Sequence, residues 1–416
     1  MKIRSWLLNP VVLYGVIFGG YIAIPTISAT YFDEYTQLFL GSVWDFSIVQ
    51  RGLLVFLISL AAFYFGYRGS MFFSNYTILP LTNYRSAQTV VRWSLVPLAL
   101  LAVSLMGPGY LSSQYEGVID PEGFYHVSDS VRAGVTILYF TVEILVSFLL
   151  IADWNYRGRI KPLTILAVTV VVVVAAGGMK RLELMTPILG FFGFVYLNRS
   201  KALYTPAILL VLFIAVLAGI GTYRLGLGFG LASLASIPLE ANFVVNSLYR
   251  VIDLVDNNGY PFTHAVELLA IPISVIPNLL FPDKYLVLDI DPLWSDRLEV
   301  SPLGGYYGLA HLYRYGGTLA VGIFSLLLGL LLGYLYRRFL RSFDGSRFAS
   351  IFYPVIIMPF LFHYVRDDIT VAIKLLLQTA ILLYVLSEAE RLIRNASNKA
   401  KQEQYMERRN ENSRTN

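Results

Sequence analysis

The chain of 416 residues contains no cysteine. That excludes a disulfide scaffold, a thiolate nucleophile and any cysteine-ligated zinc or iron–sulfur site, and it leaves the redox compartment undetermined. Charge is also scarce. Asp, Glu, Lys and Arg make up 14% of the residues, against about 25% in an average soluble domain. With 56% hydrophobic residues and a mean hydropathy of +0.62, this excludes an ordinary soluble enzyme. Disorder is excluded as well, because it needs low hydrophobicity and high net charge. Histidine is rare: His126, His264, His311 and His363 are scattered without metal-ligand spacing. There is no visible internal repeat and no basic stripe interleaved with aromatics outside the short loops, so the pI of about 9.1 does not indicate a nucleic-acid partner.

What the chain has is apolar runs. A membrane helix needs about 20 mostly apolar residues, with a range of about 17–25. Ten candidates are legible: Pro10–Ile27, Leu53–Tyr67, Trp93–Met106, Ala133–Ala152, Leu163–Ala176, Leu184–Leu197, Leu203–Thr222, Thr318–Tyr336, Ile351–Tyr364 and Thr370–Leu386. The first follows Met1-Lys2-Ile3-Arg4, as in a signal peptide. Its run is long and no small-x-small cleavage site follows, so it reads as an uncleaved first span.

Lys and Arg in short loops set the topology. With a cytoplasmic N-terminus, the inside segments hold 21 of the 32 basic residues, and the outside segments hold 19 of the 27 acidic ones. The bias predicts an all-α polytopic membrane protein of about ten spans with both termini cytoplasmic. Residues 1–390 form one membrane domain with an external loop over about 223–317. Residues 391–416 read as a charged, disordered cytoplasmic tail in reach of anionic lipid.

Three outside segments stand out: Phe32–Gln50, Gly107–Val131 and the long connection from Tyr223 to about Gly317. Leu231–Val255 within the last has apolar residues at helical spacing interrupted by Pro238, and Ala265–Leu280 is apolar with Pro272 and Pro277. Both read as interfacial or re-entrant helices that form a chamber at the membrane's outer face. The alternative is a pair of extra spans.

Several basic residues break the positive-inside trend. Lys180 and Arg181 lie in a very short external turn after Gly177-Gly178; Arg224 follows the seventh span; Arg314 precedes the eighth; Arg366 lies in the turn Val365-Arg366-Asp367-Asp368. Ionisable groups at membrane depth are expensive, and guanidinium groups bind phosphate through forked, charge-assisted hydrogen bonds. Lys180, Arg181, Arg224, Arg314 and Arg366 are therefore the candidate ligands of a lipid pyrophosphate. The competing reading pairs them with Glu183, Asp367 and Asp368, or lets them snorkel to headgroups. His311 shares the stretch Ala310-His311-Leu312-Tyr313-Arg314 with one of these cations and is a candidate general base, or else a satisfied interfacial histidine. Tyr306, Tyr307 and Tyr313 are candidate sugar-stacking residues, or else part of an interfacial aromatic belt. Glu143 and Lys374, inside spans, suggest a structural pair across the bundle. Asp289-Ile290-Asp291 and Gly226-x-Gly228-x-Gly230 are too short and lack the context for a metal or dinucleotide site. No cofactor or metal is expected.

The stretch Ile276-Pro277-Asn278-Leu279-Leu280-Phe281-Pro282-Asp283-Lys284, then Ser301-Pro302-Leu303-Gly304-Gly305, then Ala310 to Gly317 resembles the Wzy-type oligosaccharide repeat-unit polymerases, which include O-antigen polymerases. Gly177-Gly178-Met179-Lys180-Arg181 looks like their external G-x-R turn. Relatives often carry an acidic residue before the tyrosine where this chain has His311, so the acid/base assignment stays open. The resemblance implies a metal-independent, multi-span glycosyltransferase of the bacterial inner membrane, working at its outer face in lipopolysaccharide or exopolysaccharide synthesis. It would transfer a growing glycan from undecaprenyl pyrophosphate to an incoming lipid-linked unit. Catalytic roles would fall to Arg181, His311 and Arg366, and a chain-length co-polymerase is an implied partner. A flippase or transporter would favour paired halves and midplane charges. A ligase that moves finished glycan to another acceptor stays open as an alternative.

Overall fold

A chain this apolar has to satisfy its backbone internally, and a helix does so within one segment. The computed structural model describes residues 8–31, 44–73, 88–98, 100–101, 129–157, 159–177, 181–198, 232–257, 273, 276, 281, 306–342, 349–367 and 369–414. Among them there is helix and no strand. The long helices are α1 (Pro10–Tyr31), α2 (Phe46–Gly69), α3 (Asp129–Arg157), α4 (Pro162–Gly177), α5 (Arg181–Asn198), α6 (Ala232–Asp256), α7 (Gly308–Ser342), α8 (Ala349–Arg366) and α9 (Ile369–Arg414).

Three stretches among the described residues are long and apolar enough to cross a membrane: Phe46–Gly69, Gly308–Arg341 and Val371–Gln404. Four shorter apolar stretches accompany them: Pro10–Ile24, Pro162–Val171, Thr186–Val195 and Phe352–Arg366. The predicted seventh run, Leu203–Thr222, and most of Ala265–Leu280 lie outside the described residues. The other candidate external helix is one continuous element, α6, which runs through Pro238 rather than breaking there. The tail expected to be disordered instead continues α9 as helix to Arg414. Its Glu, Lys, Arg and Gln residues are good helix formers, and Glu388 and Arg391 pair one turn apart at 2.7 Å.

The seam between α2 and α7 is the most extensive helix contact. Contacts advance together along both helices, from Ser59 Oγ on Ser325 Oγ (2.7 Å) to Arg337 Nε donating to Ser70 Oγ (2.9 Å), so the two run parallel. Glycine permits the close approach. A Cβ at Gly66 would lie 2.0 Å from the Leu326 carbonyl oxygen, and one at Gly329 would lie 2.1 Å from that of Phe63. Small residues at such seams let backbones meet where no hydrophobic effect drives helices together. Tyr14 of α1 stacks on Phe63 at 4.3 Å and shares a hydrogen bond with Ser59, which ties α1 to the seam.

The register of contacts fixes the relative direction of the helices. Gly15 meets Leu60 while Gly19 meets Phe56, so α1 opposes α2. Tyr336 packs on Tyr353, and Gly308 packs on Tyr364, so α8 opposes α7. Thr186 bonds Glu143, and Phe191 packs on Trp154, so α5 runs with α3. One end of the bundle thus gathers the starts of α2, α3, α5 and α7 with the finish of α8; it is called the Arg366 end below.

At the opposite end sits a buried ion pair. Arg92, which immediately precedes the predicted run Trp93–Met106, donates from Nη2 to Asp153 Oδ1 at 2.7 Å, with side-chain exposures of 5% and 1%. Arg92 Nε also reaches Thr164 Oγ1 (2.9 Å), and Asp153 Oδ2 accepts from Thr164 Oγ1 (2.6 Å) and the Lys161 N–H (3.1 Å). Both Asp153 oxygens and the Arg92 Nε and Nη2 thus have partners, as a buried ion pair requires.

Candidate functional site

At the Arg366 end, α8 finishes with the Asp367 N–H on the His363 carbonyl (2.8 Å). The carbonyl of Arg366 accepts the Tyr306 N–H at 2.7 Å. One residue on, the Tyr307 N–H donates to Ser247 Oγ of α6 (2.9 Å). The segment entering α7 is thus pinned between α8 and α6. Gly308 follows with its Cα against Tyr364, where a Cβ would lie 2.1 Å from the carbonyl oxygen. Only glycine fits that approach.

The first two turns of α7 carry the predicted polar residues. His311 is 3% exposed, edge-on to Tyr306 (5.7 Å) and tilted against Tyr315 (4.8 Å). Arg314 is buried on the same section. Then α7 breaks: Gly316 (φ −178°, ψ 35°) and Gly317 (φ 60°, ψ −149°) leave helical geometry. The second combination is essentially restricted to glycine. Residues 308–315 therefore form a short helical section hinged to a long apolar helix.

The second half of α6 runs alongside the starts of α2 and α7. Trp44 Nε1 donates to Asn246 Oδ1 (2.6 Å), and Tyr313 Oη lies 3.1 Å from each Asp256 carboxylate oxygen. Asp256 also pairs with Arg51, whose side chain is 56% exposed. Tyr249 fills the space above Gly52, and burial pushes its phenol above the usual range, so it stays a hydrogen donor.

Beneath the turn lies a cluster built from three elements. Glu143 of α3 accepts from the Thr186 hydroxyl of α5 and faces His363 Nε2 at 3.1 Å. His363 Nδ1 lies 2.6 Å from Asp367 Oδ2. The two carboxylates occupy opposite edges of one ring, so they diverge rather than converge on a cation. Among the described residues no group of three or more His, Asp and Glu side chains is placed to hold a metal ion.

The predicted site residues are distributed as follows. His311, Arg314 and Arg366 share the Arg366 end. Arg181 opens α5 there: it precedes Thr186 by five residues, about 7.5 Å of helix rise. Lys180 and Arg224 lie outside the described residues, as do His126, His264, Asp289-Ile290-Asp291 and the Gly226–Gly230 stretch. Tyr306, Tyr307 and Tyr313 are all buried, at 4%, 0% and 7%. Tyr307 has no exposed face to stack on a sugar, and its hydroxyl donates to the Phe18 carbonyl (3.1 Å). Arg51 and Asp256 were not singled out from sequence; His363 was noted only as a scattered histidine and Asp367 only as a counter-charge for the cations. The i, i+4 spacing of His363 and Asp367 at the end of an apolar run was the available signal for that pair. Glu143, expected opposite Lys374, is held by His363 and Thr186.

The arrangement places Arg181, Arg314 and Arg366 and the positive ends of two helices, α5 and α7, at one end of the bundle, which suits an anionic group. Searches of family models, curated proteins and solved structures give no match to this chain.

Proposed function

We propose that this chain is a Wzy-type polymerase of lipid-linked oligosaccharide units, with about ten spans, cytoplasmic termini and the Arg366 end at the outer face of the inner membrane. The observation that carries the reading is the hydrogen bond from the Tyr306 N–H to the Arg366 carbonyl (2.7 Å). It seats the stretch bearing His311 and Arg314 on the turn bearing Arg366, on the side where positive-inside topology disfavours cations. The helix directions support the same topology: α2 and α7, both assigned as running inward, are parallel, and α1 opposes α2.

In this reading the acceptor sugar hydroxyl attacks the anomeric carbon of the growing chain. The bond to the pyrophosphate oxygen breaks, and undecaprenyl pyrophosphate leaves. Lys180, Arg181, Arg224, Arg314 and Arg366 stabilise the negative charge that develops on the leaving group. His311, on the short section 308–315 that the break at Gly316–Gly317 sets off from the long apolar helix, takes the hydroxyl proton. Tyr313 on this section and Tyr306 just before it are the candidate glycan contacts. The buried Tyr307 serves packing instead.

The test is Arg181→Ala in purified enzyme supplied with lipid-linked units. Removing one donor of this kind costs about 2.7–4 kcal/mol, a roughly hundredfold to thousandfold loss of turnover, with membrane expression intact. Near wild-type polymer would remove Arg181 from the mechanism.

A further inference from the structure

A cluster of three ionisable side chains lies beneath the cation site. Glu143 and His363 are each 1% exposed, and the Asp367 side chain is 25% exposed at the turn. A neutral imidazole has one donor and one acceptor nitrogen, so it cannot donate to carboxylates at both edges; the imidazolium can. With Nε2 on Glu143 (3.1 Å) and Nδ1 on Asp367 (2.6 Å), the ring is held between two carboxyl groups, one at each edge. Thr186 satisfies the other Glu143 oxygen. α3, α5 and the α8–α9 turn are thereby joined through one buried ring. Desolvation offsets most of the attraction in such a cluster, so stability alone is a poor account of it. What it does is fix geometry: Asp367 is adjacent to Arg366, whose carbonyl holds the start of α7.

We infer that Glu143 and His363 are positioning residues that brace Asp367 and so hold the turn that presents Arg366 and anchors Tyr306. The brace rests on the polymerase reading only for what Arg366 does. A misplacement of about 1 Å at a reacting centre can cost about a hundredfold in rate, which is reason enough for a rigid support below a surface turn.

The test uses the full-length protein in lipid nanodiscs and compares wild type, Glu143→Gln, His363→Gln and the double variant. Hydrogen exchange reads the Asp367 and Tyr306 amides, whose bonds report the turn directly. Each single variant should speed exchange there at least about tenfold, with the amides of residues 326–333 on the α2–α7 seam unchanged, because local opening is separable from global unfolding. The double variant should be no worse than either single one, since the residues act as one unit. Chain extension should fall at least about tenfold in kcat with little change in donor KM, as expected when an interaction made in the transition state is misplaced. Unchanged exchange at the turn overturns the brace. So does faster exchange with undiminished chain extension while Arg366→Ala abolishes it. If Arg366→Ala matches wild type, the polymerase role of Arg366 fails, and the exchange arm still decides the brace.

Discussion

Replacing Gly329 with alanine tests the α2–α7 seam. The new Cβ would sit 2.1 Å from the Phe63 carbonyl oxygen, 2.9 Å from its carbonyl carbon and 3.0 Å from its Cα. All three are backbone atoms, and none can swing aside as a side-chain tip can. Reaching ordinary contact, which starts at 3.4 Å, requires the helices to part by more than 1 Å at this point. A gap of about 0.5–1 Å forfeits a quarter to a half of each dispersion contact beside it. The Gly66–Leu326 approach and the Ser59–Ser325 hydrogen bond lie on the same seam and open with it. Overpacking of this kind costs about 1–3 kcal/mol, and the rigid obstacle places Gly329→Ala at the upper end. Helix propensity acts the other way, favouring alanine over glycine by about 1 kcal/mol. Gly20→Ala isolates that term, because nothing lies within 4 Å of a Cβ there. The assay is equilibrium unfolding in mixed detergent micelles, followed by circular dichroism. Gly329→Ala should lower stability while Gly20→Ala leaves it equal or raises it. A Gly329→Ala protein as stable as wild type would refute the seam.

The other expectations use the same unfolding measurement. Asp153→Asn leaves the Arg92 guanidinium buried with its counter-charge removed and should cost about 3–5 kcal/mol; a loss near zero would mean that water reaches the pair. Gly317→Ala forces a side chain onto φ 60° and should cost about 1–3 kcal/mol, with a neutral result showing that the break in α7 straightens freely. Arg51→Ala removes a largely exposed partner and should change stability by about 0–1 kcal/mol. Asp256→Ala also strands the Tyr313 hydroxyl and should cost about 1–3 kcal/mol, so equal effects from the two would contradict the arrangement.

The helical fold was legible in the sequence because apolar runs at this charge density have few other solutions. That α2 pairs with α7 was not, since it depends on which glycines meet, although the predicted topology already ran both in the same direction. Gly66 and Gly329 look alike in sequence to Gly20, which touches nothing. Arg314 and Arg366 were visible because they stand where the topology predicted from the sequence disfavours cations. Arg92 shows the limit of that logic: the predicted topology puts it on the favoured side, and it is buried in an ion pair all the same. Glu143 was recognised as a charge in need of a partner, but His363 lies 220 residues away, and one sequence cannot choose between it and Lys374. The tail after Arg391 reads as disordered from its charge, yet its residue types also favour helix, and α9 continues through it.

The central claim is that the chain polymerises repeat units, and the surface glycan of a deletion strain tests it most directly. Run as a ladder on a gel, the glycan should collapse to a single repeat unit, because the unit is still made, exported and attached. Re-expression of wild type should restore the ladder, and Arg366→Ala should not. Complete loss of the glycan would contradict the account in favour of export or ligation, and an unchanged ladder would contradict any role in this polymer.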